Sequence, residues 1–523
     1  MGTWRQRLAQ IIAGTPKRAA GRGVRMYGGA RLSEGQLGFG SSSSSADAEL
    51  SMSLERLRNR SRQLVRDSAY AKRAKTVVIN NVIGSGVGMQ AQVMNTRGAL
   101  AQSVNDSIEA AWREWSRADS CHTGGALAFG DLERALMGEV FESGEVLVRL
   151  HFRAFGASRV PVALELVEGE RLADHVDVPG VASGNELRMG VEVDRYGRAV
   201  AYHIRGRHRG DMHVRVGERS DFVERVPAEQ ILHLKLTHRW PQTRGEPWLH
   251  TVVRKLHDME QYTSAEVAAA KASAFYFATV QKPDDGNPLT NATTEDGRPV
   301  MELEPLSVQE LAPGEELKFH TPNRPNVALD PFLRYMLREV SAGVGVSYES
   351  LSRDYSQSNY SSSRLALLDD RDTWRALQHW WIRCFREPLH RVWLRQAVLA
   401  RAVASVPVEA YATDSARYEA VKFKPRGWSW VDPTKEVAAY KEAIKAGLTT
   451  ATDVIAATAG GLDIEDVLAT RERELAMAAE HGLKFDVDPD AYAPAPAPAL
   501  APAAEPEPDE EPDEQAARLR RIA

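Results

Sequence analysis

The hydrophobic period of this chain changes twice, near residue 145 and again after Pro247, and any fold must bury its apolar residues on those terms. Before the first change the spacing is helical. A start near Asp47 leads through Leu50, Leu54, Leu57, Leu64 and Val65. Asp106 and Glu109 resemble a capping box ahead of a face made by Ile108, Trp112 and Trp115, and residues 129–141 read as a further helix. Val146, Val148, Leu150 and Phe152 then alternate with more polar positions, the pattern of a half-buried strand. More strands are expected at 162–167, 189–194, 199–205, 213–216 and 231–236, with a hairpin turn at 194–197 in which Gly197 takes positive φ.

After Pro247 the helical period returns through Leu249, Val253, Leu256, Met259 and the Ala-rich stretch 265–274. Pro and Gly break residues 281–327, where a short strand fits near 317–319, and a helix follows at 330–340. Residues 361–400 carry the strongest amphipathic signal: Leu367, Trp374, Leu377, Trp381, Phe385, Leu389 and Val392 recur at helical spacing, and Pro388 should kink or divide that helix. Asp432 followed by Pro433 is a good helix start, Gly447 can end that helix, and another runs from Asp463 to Gly482. A strand block with helices on both sides reads as an α+β, multi-domain chain, and 523 residues at about 150 per domain suggest three or four domains.

The two ends read differently from the body. Residues 1–33 hold no acid but carry Arg5, Arg7, Lys17, Arg18, Arg22, Arg25 and Arg31; with the Gly, Ser and Arg of 14–45 they suggest a flexible basic arm at 1–46, in preference to a transit peptide. The apolar stretch 8–13 is too short for a signal-peptide core. Alternating Ala and Pro, then Pro and acid, make 483–523 an extended, disordered tail. Ten acids against three arginines put 486–523 at −7, so the formal net charge of −5 leaves the remainder at +2. Tight, non-specific nucleic-acid binding through a large basic excess is therefore not expected. The uncharged run 76–96 is interrupted by Asn80, Asn81, Gln90 and Gln92, too polar to span a bilayer. Cys121 and Cys384 form no framework, which points to a reducing compartment.

Motifs for bond-breaking chemistry are sparse. No Gly-Lys dipeptide exists to build a phosphate-binding loop, and Gly84, Gly86 and Gly88 fit a turn or a close backbone contact better than a dinucleotide fingerprint. Asp486, Asp488 and Asp490 open like a calcium loop, but Ala491 and Ala497 stand where Gly and Glu are needed. Cys121 and His122 have no partner pair at metal-ligand spacing and read as structural. Asp284 with Glu316 and Lys318 matches the skeleton of a metal-dependent nuclease, in which carboxylates hold a divalent ion and lysine activates water. Against it, residues 284–288 are strong turn chemistry.

Several segments occur in a telling order. Arg62 through Arg73 leads into Asn81, Gly84 and Gly86; Gly138-Glu139 and Gly144-Glu145 mark the helix-to-strand change; Gln242-Thr243-Arg244-Gly245 precedes the next helix. Residues 346–364 follow, with Tyr348, Asp354, Tyr355, Asn359, Tyr360 and Arg364, and last come 430–436 and 446–449. Together, from about residue 55 to 480, they resemble the portal proteins of lambda-type tailed bacteriophages.

That resemblance implies the phage portal fold of wing, stem, clip and crown, assembling as a ring, usually of twelve subunits, at one capsid vertex. Double-stranded DNA would pass through the channel during packaging and ejection. The partners implied are the terminase large subunit, head-completion and tail adaptor proteins, and the major capsid or scaffold protein; no enzyme activity, cofactor, metal or membrane is implied. The location is the virion, and the host cytoplasm during assembly. On this reading 47–245 is the wing region, 246–280 a stem helix, 281–327 the clip, 328–430 a helical tunnel-side and wing region and 431–482 the crown; an alternative puts part of the clip in the β-rich block. A tunnel-side role for Tyr348, Asp354, Tyr355, Asn359, Tyr360 and Arg364 rests on the resemblance alone, because Asn359 and Ser361 are also ordinary capping residues. Trp374, Trp380, Trp381 and Trp393 are read as intrachain core in preference to a ring contact. The rivals left open are the nuclease and a virion scaffold protein without a channel.

Overall fold

A computed structural model describes residues 43–173, 181–182, 184–211, 222–274, 277–281, 316–320, 326–357, 359–428, 433–458 and 464–483. The first helix, α1 (Ala46–Asp67), starts where the Ser45 hydroxyl accepts the Ala48 N–H at 3.1 Å, with Asp47 and Glu49 in the first turn, where the helix dipole favours acids. It buries Leu50, Leu54, Leu64 and Val65, and α2 (Ala69–Val82) buries Ala71, Ala74, Val77, Val78 and Val82.

After the strand β1 (Gly88–Ala91), helix α3 (Gln102–Trp115) begins a turn earlier than the capping-box reading implied. Asp106 lies inside it, and Glu109 accepts the Ala91 N–H at 2.9 Å instead of capping. The buried Asn105, whose Oδ1 takes the Val93 N–H at 2.9 Å, ties the helix to the preceding chain. A single turn, α4 (Ala118–Cys121), and α5 (Phe129–Ser143) follow, and Gly144 ends α5 in the left-handed region at φ 87°.

The strand block forms two antiparallel sheets. In one, β2 (Glu145–His151) lies between β3 (Ala163–Glu168) and β8 (Ile231–Lys235). The other is ordered β4 (Glu186–Arg188), β5 (Val191–Val193), β6 (Ala199–Arg205) and β7 (Val223–Pro227). The expectation of a half-buried β2 is corrected, because the second sheet covers its outer face. Val146, Val148 and Leu150 enter the main core, while Leu147 enters a smaller core with Val191, Ile204 and Val226. Phe152 lies beyond the strand and is exposed. The single strand expected at 189–194 is cut by a turn at Met189 and Gly190, both at positive φ. The 194–197 turn forms as expected: Gly197 sits at φ 80° and Asp194 Oδ1 accepts the N–H of Tyr196 and Arg198. The strand expected at 213–216 lies outside the described residues.

Helix α6 (Val253–Ala274) comes next, then β9 (Phe277–Gln281) paired with β10 (Glu316–His320), and α7 (Leu329–Val344) and α8 (Tyr348–Ser352). The long amphipathic stretch is α9 (Tyr360–Trp381) and α10 (Glu387–Leu399), joined by a π-helical turn at Ile382–Arg386. The disruption expected from Pro388 takes the form of this widened turn, with Pro388 inside the first turn of α10, where its missing N–H is least needed. Short helices α11 (Val408–Thr413) and α12 (Ser415–Tyr418) precede β11 (Val421–Lys424), which pairs with β1. Last come α13 (Pro433–Lys445), α14 (Ala451–Thr458) and α15 (Ile464–Glu480).

Trp374, Trp381 and Trp393 are buried in the main core, and Trp393 meets Trp112 edge-on at 4.8 Å, so these rings serve this chain's own interior. Among the described residues no helix is long and apolar enough to cross a membrane.

Candidate functional site

Residues 345–364 fold into a polar hairpin. Gly345, at φ 74°, ends α7, and the Val346 N–H returns to the Ser341 carbonyl. Ser347 donates to Asp370 of α9 through its N–H at 3.0 Å and its hydroxyl at 2.6 Å. Asp370 is buried, and burial raises its carboxyl pKa against those hydrogen bonds. The Ser350 carbonyl accepts from Arg73 at 3.0 Å, so α8 is pinned to both α9 and α2.

Two of the sequence candidates meet directly: the Tyr348 hydroxyl donates to Asp354 Oδ2 at 2.9 Å. Asp354 also takes the Ser356 N–H at 3.0 Å and has Arg334 at 3.6 Å. Hydrogen bonds from Ser356 first, then from Tyr348, with the charge of Arg334, pull its pKa down to about 2. It stays ionised as the hub of the loop. Asn359 caps α9: its Oδ1 accepts the Ser362 N–H at 2.8 Å, and its own N–H goes back to the Ser362 hydroxyl at 3.2 Å. The cap falls on Asn359 and Ser362, so Ser361, the other capping candidate, is not used. Tyr355 is exposed, Arg364 half-buried, and Tyr360 opens α9.

Among the described residues no group of three His, Cys, Asp or Glu could hold a metal. Cys121 is buried with its thiol pushed up to about 12 by desolvation, and His122 Nδ1 accepts the Ala126 and Leu127 N–H groups at 3.3 Å. Both are structural. For the nuclease reading, Glu316 opens β10 opposite Gln281, Lys318 lies opposite Thr279, and Asp284 is outside the described residues.

The geometry brings together what the sequence left as separate motifs. Glu145 is wholly buried at the start of β2. It accepts from Arg58, from Arg244 Nε at 2.6 Å, from His233 at 2.9 Å and from the Gly245 N–H at 2.7 Å. Burial alone would raise its carboxyl; Arg244 and Arg58 outweigh that and hold it well below the usual range. Arg244 also donates to the carbonyls of Met189 (2.5 Å) and Gly169 (2.6 Å), and Arg58 to that of Ser143 (3.1 Å). Beside them, Arg62 joins Glu139, Glu170 and the Ser143 hydroxyl. Two of the ordered segments, the α5–β2 junction and 242–245, thus close on one buried acid together with Arg58 of α1, which precedes the Arg62–Arg73 segment. A second buried pair is Glu133 and Arg386, 3.6 Å apart, with the guanidinium over Trp112, Phe129 and Phe423. Nothing in the local sequence marks Glu133 or Arg386; only burial reveals them.

The family model described as "Phage portal protein, lambda family" matches residues 35–378. The chain is 29% identical over 404 residues to a probable portal protein of Halomonas phage phiHAP-1, covering 76% of this chain and 75% of that one. It is 23% identical over 469 residues to portal protein B of Escherichia phage lambda, covering 83% and 85%. Among solved structures it is similar to the neck of a native gene transfer agent (GTA) particle computed with C12 symmetry, at TM-score 0.40 and 14% identity, covering 78% of this chain and 93% of that one.

Proposed function

The chain belongs to the lambda family of phage portal proteins, and from that premise we propose that copies of it close into a ring, of twelve subunits, at one capsid vertex, through which double-stranded DNA enters and leaves. The family match across residues 35–378 carries the reading. It makes the chain a portal protein and a virion component with a structural role; host cytoplasm is its location during assembly. The partners are the terminase large subunit, which supplies the force, then head-completion and tail adaptor proteins, with the major capsid or scaffold protein around the ring.

Physical chemistry supports the division of labour. A conduit needs no phosphate-binding loop of its own, and this sequence contains no Gly-Lys dipeptide. A wall that must let a duplex slide is served by a body near neutrality. A closed ring uses head-to-tail contacts between two different faces. Residues 361–369 of α9 include no buried residue, and Leu365, Leu367 and Leu368 are there with 71%, 36% and 42% of their surface exposed; a neighbouring copy would cover them.

Within the ring, 47–245 serves as wing, 246–280 as stem, 281–327 as clip, 328–430 as tunnel-side and wing structure, and 431–482 as crown. The loop held by Tyr348, Asp354 and Asn359 presents Tyr355 toward the tunnel, with Tyr360 and Arg364 at the head of α9. A hub kept ionised and hydrogen-bonded suits a loop that must keep its shape beside moving DNA. The nuclease and the channel-free scaffold are not favoured.

Negative-stain microscopy of the purified full chain tests this. Annular particles with a central hole are expected. Protein that remains monomeric under all assembly conditions, or that cuts DNA or hydrolyses a nucleotide unaided, overturns it.

A further inference from the structure

A closed ring with head-to-tail contacts needs two different faces on each subunit, and the leucine face of α9 is only one of them. Arg364, Leu365, Leu368 and Asp369 lie along one side of that helix. Leu365 and Leu368 are exposed. Among the described residues, neither the Arg364 guanidinium nor the Asp369 carboxylate has a partner.

A cleft elsewhere on the subunit matches this face in size and charge. The last two turns of α1 and the first two of α6 enclose about 410 Å³. Positions 60, 63, 64 and 67 turn one side of α1 toward it. Leu64, buried, and Val253, half-buried, give it an apolar lining. At about 30 Å³ per heavy atom, two leucine side chains fill roughly 240 Å³, so the cleft has room for both. Its charges are mostly matched at home: Asp67 pairs with Arg66 at 3.0 Å, and Arg254 with Asp258 at 3.7 Å. Two are left over among the described residues, Arg60 on the α1 side and Glu260 on the α6 side. Each face therefore carries an apolar pair with one unpaired cation and one unpaired anion. An apolar centre with complementary charges at its rim is the ordinary anatomy of a protein interface.

We infer that Leu365 and Leu368 of one copy seat in the α1–α6 cleft of the next, with Asp369 meeting Arg60 and Arg364 meeting Glu260. This contact presupposes the ring and names the face that receives α9.

Rings of the full chain test it in a Cys384→Ser background. Ser361→Cys, one turn before Leu365, and Gln63→Cys, in the cleft, are made in separate chains and mixed before assembly. A bismaleimide should link them into dimers, whereas either variant alone should give none. Arg60→Glu and Asp369→Arg should each cut ring yield at least fivefold at an unchanged urea midpoint, since both side chains are exposed and unpaired in the subunit. The two changes together should restore the yield to within twofold of wild type. Wild-type rings lacking either the link or the rescue overturn this seat and leave the ring standing. A chain with both cysteines that links only within itself overturns it equally. Wild-type chains that never leave the monomer overturn the ring, and this contact with it.

Discussion

Gly144 and Gly245 stand back to back: a Cβ on Gly245 would lie 2.1 Å from the carbonyl oxygen of Gly144, and one on Gly144 would lie 2.2 Å from the Glu246 carbonyl carbon. The two chain segments that carry the Glu145 cluster can approach this closely only without side chains. Gly245→Ala should therefore cost about 3 kcal/mol, through overpacking against backbone that cannot rotate away. A urea midpoint that moves by less than a third of that would show the contact to be looser than described.

Glu145→Gln leaves Arg58 and Arg244 buried without their anion. The expected loss is about 3–5 kcal/mol, larger than for an exposed pair. The sign with pH follows from the lowered carboxyl. Its contribution is complete above the unfolded value near 4.5 and is lost as pH falls through the folded value. Acid titration of stability in wild type and variant should converge at low pH.

His390 is buried against Trp112, Trp393 and Phe423, and desolvation first, then the charges of Arg386 and Arg391, push it down to about 3. Between about pH 6.5 and 3 the unfolded chain takes up a proton that the folded one refuses, so stability falls as pH falls, by up to about 1.4 kcal/mol per pH unit. Glu133, raised by burial, works in the opposite sense, so the histidine contribution is read as the difference between wild type and His390→Phe. Parallel stability-pH curves for the two proteins would refute it.

Asn359→Ala removes the side-chain half of the cap on α9, the Oδ1 that accepts the Ser362 N–H, and leaves the backbone N–H of residue 359 to the Ser362 hydroxyl. About 1 kcal/mol should be lost, and amide exchange should quicken in residues 360–364 while the Trp374–Trp393 core keeps its protection. Uniform acceleration along α9 and α10 would mean the cap is coupled to the whole helix.

Leu365→Asp combined with Leu368→Asp should leave the subunit folded and shift the ring toward monomer in light scattering, because charges replace apolar groups that a neighbouring copy would bury. Unchanged ring yield would place the subunit contact elsewhere.

Much of the secondary structure was legible because it depends on periodicity along the chain. The helices around Leu50–Val65 and Trp374–Val392, the strands at 199–205 and 231–235, and the ends at Gly447 and Gly482 follow from spacing and from residues that tolerate positive φ. The polar hairpin was partly legible too: Asn359 announces a helix cap, but nothing local says that Tyr348 will reach Asp354. Four-residue strands such as β1 are too short for a period to show, and β1 finds its partner only in β11, far along the chain. Asp106 does not open its helix, because buried Asn105 and half-buried Glu109 serve neighbouring backbone instead.

Sequence alone therefore decided which stretches coil, which extend, and which ordered motifs mark the family, since each depends on neighbours within a few residues. Tertiary structure alone decided that β2 is covered on both faces, that Glu145 gathers arginines from α1 and from 242–245, and that Arg386 turns inward at a π-helical turn to face Glu133. Burial and charge pairing join residues far apart in the chain, and their energies exist only once solvent has been excluded between them.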